Sequence, residues 1–219
     1  MIVLAIDTAG VDCSAAIHDS ETGQTLGAVT DMIGKGHAER LMAVIDEVLD
    51  KAHLELAEVG KIAVVVGPGS FTGIRVGVAA ARGLALALEV DCVGVTTLET
   101  LAAMHHGTSP RNAVLVAMDA KRDELYVQGF GVDGAPLSNP AAMSGRDAEV
   151  LAKSLKADLV GSGRPIILSE PDMEVRDRFD IATVARLGAA KPMGASKPKP
   201  LYLRGPDAKV QTGFALARS

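Results

Sequence analysis

IVLAIDTAGVDCSAAIHDSETGQTLGAV, residues 2–29, decides the fold of this chain, because a second stretch repeats its design. NAVLVAMDAKRDELYVQGFGVDGAPL, residues 112–137, has the same order of apolar strand, aspartate, turn, second strand, glycine-containing turn and third strand. Asp7 and Asp119 end the first strand of their copies, and both first strands are nearly continuous apolar runs, which is typical of strands covered on both faces. The repeat predicts two α/β lobes of one design.

The first copy is followed by a full series of alternating helices and strands, and the second copy by a shorter one. After the first copy we predict elements at 37–52, 62–66, 73–88, 92–95 and 98–105. After the second copy we predict them at 147–155, 159–161, 166–168 and 181–190. We therefore expect a first lobe of residues 1–106 and a second, abbreviated lobe of residues 107–219 that includes the C-terminal tail.

A hairpin that carries an aspartate, duplicated in two lobes, resembles the actin, Hsp70 and sugar-kinase (ASKHA) class of folds. In that class each hairpin approaches nucleotide phosphates across a cleft. The resemblance makes Asp7, Thr8 and Asp119 candidates for weak nucleotide or phosphate binding.

Composition fits a globular protein with a large core. The 219 residues are 48% hydrophobic and 22% charged, with a net charge of −5, which argues against a surface that grips nucleic acid all over. Aromatic residues make up only 3%, without tryptophan, which argues against a base-stacking platform. The stretch from Lys191 to Arg218 is basic, and we interpret it either as a solvated linker or as an aid to nucleic-acid binding.

The N-terminus and the cysteines predict a cytoplasmic protein. The first apolar run lacks a preceding basic segment and ends at Asp7, as a first strand does and a signal peptide does not. Cys13 and Cys92 form no metal-like or disulfide pattern, which indicates a reducing compartment. Arg75 and Arg82 interrupt the most apolar stretch, so we expect no membrane span.

VVVGPGSFTGIRVGVAAARGLALAL, residues 64–88, has the form of a strand, a glycine-rich turn and a helix capped by Ser70 or Thr72. Such a turn could hold a phosphate at the helix N-terminus, but its spacing fits neither the P-loop nor the dinucleotide fingerprint. The helix instead has a ridge of small residues four apart: Gly73, Gly77, Ala81 and Ala85. Interior glycines weaken a helix, so we interpret this ridge as a place where another helix approaches closely.

The helix predicted at 37–52 is amphipathic over an arc wider than one sheet face requires, with Leu41, Ile45 and Val48 in that arc. We therefore expect this helix and the small-residue helix to form a protein–protein surface. Arg75 and Arg82 lie on one side of the second helix, where they are either solvated or at the rim of the contact.

Six motifs, in order, resemble the bacterial TsaB (YeaZ) proteins between residue 1 and about residue 208: LAIDT, GHAERLM, VGPGSFTGIRVGVAAARGLALAL, GVTTLETLA, MDAKRDELYV and LYLRGPDA. The resemblance implies a non-catalytic dimerisation subunit of the system that transfers a threonylcarbamoyl group to N6 of adenosine 37 of tRNA. It implies pairing through the first lobe with the catalytic paralogue TsaD, a complex joined by the ATPase TsaE, and tRNA contact through that complex. It also leaves room for a homodimer of the isolated chain. The interface would contain Leu41, Ile45, Val48, Gly73, Arg75, Gly77, Ala81, Arg82 and Ala85.

The same resemblance argues against catalysis. TsaD-type proteins bind a metal through two histidines four residues apart, and Thr97 and Leu101 stand at those positions here. Leucine offers no lone pair and a threonine hydroxyl is a poor ligand for a transition metal, so we expect no metal, no catalytic residue and no cofactor beyond weakly bound nucleotide. The alternatives are a nucleotide-binding actin-like enzyme and, disfavoured by the missing HExxH motif, a glycoprotease-type metallopeptidase.

Overall fold

The computed structural model describes residues 1–109, 112–170, 177–194 and 197–204. Lys209, Arg218 and the end of the LYLRGPDA motif lie outside the described residues. The first sheet has five strands in the order β3-β2-β1-β4-β5. Strand β2 is antiparallel to both of its neighbours, β1 and β3, and β4 and β5 are parallel to β1. Its strands are β1 (Ile2–Asp7), β2 (Asp12–Asp19), β3 (Gln24–Met32), β4 (Val59–Gly67) and β5 (Asp91–Thr96). The helices of this part are α1 (His37–Ala52), α2 (Phe71–Leu88) and α3 (Thr97–Thr108).

The second sheet repeats this arrangement in shorter form, in the order β8-β7-β6-β9. β6 and β7 are antiparallel like β1 and β2, and β9 is parallel to β6 as β4 is parallel to β1. Its elements are β6 (Val114–Asp119), β7 (Glu124–Phe130), β8 (Ala141–Ser144), α4 (Gly145–Leu155), β9 (Asp158–Val160) and α5 (Arg164–Leu168). Two sheets of one design confirm the two-lobed actin-like fold with an abbreviated second lobe.

The last helix, α6 (Ile181–Ala190), packs on the first sheet, although the sequence placed it in the second lobe. Val184 and Ala185 are buried in the core of the first sheet. A Cβ at Gly188 would lie 2.2 Å from the Cβ of Ala63, so the helix touches strand β4. The expected division into residues 1–106 and 107–219 is therefore wrong for α6, because its apolar face covers the side of the first sheet opposite α1 and α2.

A buried lysine fixes the end of α6. The side chain of Lys61 is fully buried at the start of β4, and its Nζ donates to the carbonyls of Ala189, at 3.1 Å, and Lys191. Desolvation lowers the pKa of this ammonium group. The positive charge lies against the carbonyl end of the helix, where the helix dipole favours a cation.

Helix α3 joins the lobes. Leu98 and Leu101 share a buried cluster with Val114 and Val116 of β6 and with Phe179. The second core lies between β6, β7 and α4. The apolar side chains of α3 therefore pack against the second sheet, and the same helix also contacts β4, β5 and α6.

Candidate partner surface and interlobe cleft

The glycine-rich turn before α2 is filled by the chain itself. Ser70 caps the helix by accepting a hydrogen bond from the Gly73 N–H, and its own N–H donates to the carbonyl of Ala9 at 2.7 Å. A Cβ at Gly69 would lie 2.5 Å from that same Ala9 oxygen. The hairpin turn between β1 and β2 thus sits against the helix N-terminus, so the space beside this glycine-rich turn is taken by the chain's own backbone.

The small-residue ridge faces this hairpin and not another subunit. A Cβ at Gly73 would meet the Thr8 carbonyl oxygen at 1.9 Å, and one at Gly77 would meet Thr8 Oγ1 at 2.4 Å. Ala81 and Ala85 continue the ridge into the core of the first sheet. The prediction that these four residues admit a partner helix is therefore wrong, because the close approach they permit is made within the chain.

The same correction applies to α1. Leu41, Ile45 and Val48 are almost completely buried, and a Cβ at Gly27 of strand β3 would lie 3.1 Å from the Val48 carbonyl oxygen. The wide apolar arc of α1 packs on β2 and β3 and beside α2. These three residues cannot contact a partner directly.

The opposite side of α2 is exposed and carries two large apolar side chains, Phe71 and Leu86. We call Phe71, Arg75, Ala79, Arg82, Gly83 and Leu86 the outer face of α2. Leu86 is 78% exposed and Phe71 50%, and within the described residues a Cβ built on Gly83 meets no atom within 4 Å beyond its chain neighbours and the backbone of its own helix. Sequence reasoning missed this face, although Arg75 and Arg82 belong to it.

Within the described residues, α2 is also the one helix long and apolar enough to cross a membrane by length and composition, despite Arg75 and Arg82. A core helix of a folded domain passes the same length and composition test, so this finding does not overturn the expected absence of a membrane span. The side of α2 that contains Ile74 and Val78 packs into the core of the first sheet.

Arg75 anchors the C-terminal segment to α2. Its guanidinium carbon lies 3.7 Å from the centre of the Phe71 ring, and its Nε donates to the Tyr202 hydroxyl at 2.8 Å. The two rings lie 5.2 Å apart. Arg75 therefore has a structural partner, yet it stays at the edge of the outer face of α2.

The basic C-terminal stretch is partly used inside the chain. Lys191 pairs with Glu99 at 2.7 Å, and Arg204 Nε donates to Glu124 at 2.8 Å. Lys197 is exposed beside Arg82, where both line an open groove of about 590 Å³.

The nucleotide candidates of the first hairpin are enclosed. Asp7 is 1% exposed and accepts a hydrogen bond from the Ala9 N–H at 2.8 Å, and burial raises the pKa of its carboxyl to about 7. Thr8 is buried, and its hydroxyl donates to the Gly73 carbonyl at 2.7 Å. In the second hairpin the Asp119 carboxylate pairs with Lys121 at 2.6 Å.

The positions compared with a metal site have other roles. Thr97 is buried and donates to the Pro68 carbonyl at 2.7 Å, and Leu101 is buried in the cluster of α3 and β6. Among the described residues, no group of three or more His, Cys, Asp or Glu side chains is placed to hold a metal ion. Burial raises the pKa of both thiols, Cys13 and Cys92, to about 11, so neither is a thiolate at neutral pH.

Comparison with known proteins agrees with this geometry. The TsaD family model, tRNA N6-adenosine threonylcarbamoyltransferase, matches residues 14–156. TsaB of Escherichia coli, a tRNA threonylcarbamoyladenosine biosynthesis protein, is 36% identical over 126 residues, which is 58% of this chain and 53% of that protein. An uncharacterised protein of Mycobacterium bovis is 32% identical over 213 residues, 94% of this chain and 93% of that one. This chain therefore aligns with about half the length of the E. coli protein and with nearly all of the mycobacterial one.

A solved structure from Pseudomonas aeruginosa, of an uncharacterised protein with similarity to peptidase YeaZ, superposes with a TM-score of 0.76 at 26% identity. The superposition covers 93% of this chain and 99% of that chain. Paired lobes, matched hairpins and these likenesses define an actin-like protein of the TsaD type. Within that class, the chain belongs to the TsaB (YeaZ) family.

Proposed function

We propose that this chain is a non-catalytic subunit that supports a TsaD-type catalytic subunit when a threonylcarbamoyl group is transferred to N6 of adenosine 37 of tRNA. The observation that carries the proposal is the outer face of α2, an exposed apolar surface that the fold of the chain does not require. It replaces the buried ridge as the proposed contact with the TsaD-type partner.

Gly83 is the strongest argument for a partner there. A glycine in a helix interior costs about 1 kcal/mol relative to alanine. At Gly73 and Gly77 the fold itself requires glycine, because a methyl group at either position would clash with Thr8. Gly83 has no such neighbour in the part of the chain that the structure describes. A partner helix that approaches the backbone at this position would supply the reason for a glycine there.

The chemistry around Gly83 is that of an interface core with a polar rim. Leu86 and Ala79 lie one helical turn to either side, and Arg75 and Arg82 flank them. An exposed leucine and phenylalanine on one helix form an apolar patch that association would remove from water.

A non-catalytic role is supported by what the side chains near the hairpins do. Thr97 and Leu101 are occupied in packing, both thiols are protonated at neutral pH, and Asp7 is enclosed. The alternative of a nucleotide-binding actin-like enzyme rests on the retained Asp7, Thr8 and Asp119. The hydroxyl and the carboxylate of the first hairpin are hydrogen-bonded within the chain, which favours the non-catalytic role and at most weak nucleotide binding.

Other partners follow from the same proposal. A TsaE-type ATPase would join the complex, and tRNA would be met through it, with Lys197 and Lys199 as exposed basic residues of the described tail. The isolated chain would use the outer face of α2 for a homodimer, because the same apolar patch would then lack its partner. A cytoplasmic location remains a prediction from the unpaired cysteines.

The test substitutes Gly83 by leucine and measures co-purification with the TsaD-type subunit together with thermal unfolding. Leucine at an exposed helical site should leave the fold intact, since its helix propensity exceeds that of glycine. Overpacking a close contact costs about 1–3 kcal/mol, so we expect binding to weaken by about 5- to 150-fold. Ser154→Leu, at an exposed position of α4, adds similar bulk in the second lobe and should bind normally. Wild-type affinity in Gly83→Leu would exclude this face as the contact.

A further inference from the structure

Four consecutive residues, 177–180, connect the two lobes beside both hairpins. Asp177 binds a loop of the second lobe, Arg178 binds the first hairpin, Phe179 lies in the cluster between the lobes, and Asp180 caps α6. The partners of neighbouring residues thus belong to opposite lobes, which a simple connection does not require.

Asp177 occupies a loop built for an anion. The loop has the sequence Gly161-Ser162-Gly163, and both oxygens of the Asp177 carboxylate accept hydrogen bonds from it, one from the Ser162 N–H at 2.8 Å and one from the Ser162 hydroxyl. Gly161 has a φ of +99°, and a Cβ there would lie 2.4 Å from the Ala117 carbonyl oxygen, so glycine is required. A backbone N–H and a hydroxyl in a tight glycine turn are the donors that phosphates also use.

The loop is connected in turn to the second hairpin. Ser162 Oγ accepts a hydrogen bond from the backbone N–H of Asp119 at 2.8 Å, so Asp177, Ser162 and Asp119 form one chain of hydrogen bonds. The carboxylate of Asp177 is largely buried, and desolvation raises its pKa. The hydrogen bonds of Ser162 therefore link the Asp177 carboxylate to the backbone at the end of β6.

Arg178 makes the corresponding contact with the first hairpin. Its Nε and Nη2 donate to the two oxygens of Asp12 at 2.9 and 3.0 Å, a bidentate pair. The Asp12 carboxylate is buried and Arg178 is half-exposed, so the arginine covers the carboxylate from solvent. Phe179 is buried next to Gly10, where its Cε2 would lie 3.3 Å from an added Cβ.

We propose that Asp177, Arg178 and Phe179 form an internal clasp that holds the two lobes together without a bound ligand. The Asp177 carboxylate takes the anion position in the Gly161–Gly163 loop and so excludes phosphate from it. The clasp acts independently of any partner protein. It keeps the relative position of the lobes constant, because each of its ends is fixed by two hydrogen bonds to a different lobe.

The test measures hydrogen exchange of the full chain in Arg178→Ala, Asp177→Ala and the control Arg146→Ala, an exposed arginine on α4. A clasp couples its two ends, and coupling is reciprocal. Arg178→Ala should therefore speed exchange in the 161–163 loop, which it does not touch, and Asp177→Ala should speed exchange around residues 8–14. We expect acceleration of about tenfold at both places in each variant and none in the control.

Acceleration limited to each residue's own contact would overturn the proposal. Arg178→Lys keeps the charge but loses the bidentate geometry, so it should give the same pattern at smaller amplitude, and it serves if an alanine variant does not fold. Millimolar inorganic tripolyphosphate should leave exchange of the wild-type 161–163 loop unchanged. Protection of that loop by tripolyphosphate in the wild type would show that the carboxylate does not hold the anion position.

Discussion

Gly77→Ala and Gly83→Ala form a matched pair that separates packing inside the chain from an exposed helix position. Both residues lie in the interior of α2, so each substitution gains about 1 kcal/mol of helix propensity. At Gly83 no steric clash with the part of the chain that the structure describes opposes this gain, because a Cβ there meets no atom within 4 Å outside its immediate helix backbone. We expect Gly83→Ala to raise the melting temperature by roughly 2–4 °C for a chain of this size.

At Gly77 the added methyl meets the hydroxyl of Thr8 at 2.4 Å. That hydroxyl is buried and donates to the Gly73 carbonyl at 2.7 Å, so the methyl must displace it and break the bond. Losing a buried hydrogen bond costs about 1–3 kcal/mol and overpacking about 1–3 kcal/mol more. After the gain in propensity, Gly77→Ala should lose about 1–5 kcal/mol of stability. Gly77→Leu should then unfold the chain.

Urea unfolding of the two alanine variants, each combined with Thr8→Ala, measures the contact directly. Thr8→Ala removes Oγ1, the atom that the methyl strikes, and leaves the Cβ of residue 8 at 3.7 Å. The Gly77→Ala/Thr8→Ala double variant should therefore be more stable than the sum of its single changes by about 1–3 kcal/mol. With Gly83→Ala the effects should add. If Gly77→Ala is as stable as Gly83→Ala, the ridge does not pack on the hairpin and the argument fails.

Three further predictions concern charge and metal. Burial raises the pKa of the Asp7 carboxyl from 3.8 to about 7, so the folded state binds this proton more tightly than the unfolded state does, and the free energy of unfolding should fall as pH rises from about 4 to about 7. Asp7→Asn should remove this pH dependence in urea unfolding, and an unchanged dependence in that variant would contradict the prediction. Lys197→Ala/Lys199→Ala should weaken tRNA binding by the complex with the TsaD-type subunit and reduce its salt slope by about 2, whereas an unchanged slope would identify a solvated linker. Thr97→His/Leu101→His should bind no stoichiometric transition metal after chelator treatment, since the described residues contain no group of three or more His, Cys, Asp or Glu side chains placed to hold a metal ion. Metal analysis showing one equivalent would refute this.

The repeat predicted the fold because it rests on local patterns. Apolar runs, turn residues and the two aspartates recur within each copy, and the bounds of α1 and α6 coincide with those predicted. The location of α6 could not be predicted the same way. Its apolar face would suit either sheet, and the choice depends on a contact between Gly188 and Ala63, which are far apart in sequence. The clasp could not be predicted from local patterns either, because Arg178 and Asp12 are 166 positions apart in the sequence.

The site shows why spacing alone gave the wrong side of α2. Small residues recur four apart on both sides of this helix, at Gly73 and Gly77 and again at Ala79 and Gly83. Small side chains on a helix indicate where other atoms approach its backbone closely. They do not indicate whether those atoms belong to the same chain or to a partner. The large apolar side chain of Ile74, next to Gly73, indicates which side of the helix is buried within the monomer, and it could have shown that the Gly73 side faces the chain's own core. The fold accounts for Gly73 and Gly77 but shows no neighbour for an added Cβ at Gly83 among the described residues, and this difference is the basis for proposing an intermolecular contact there.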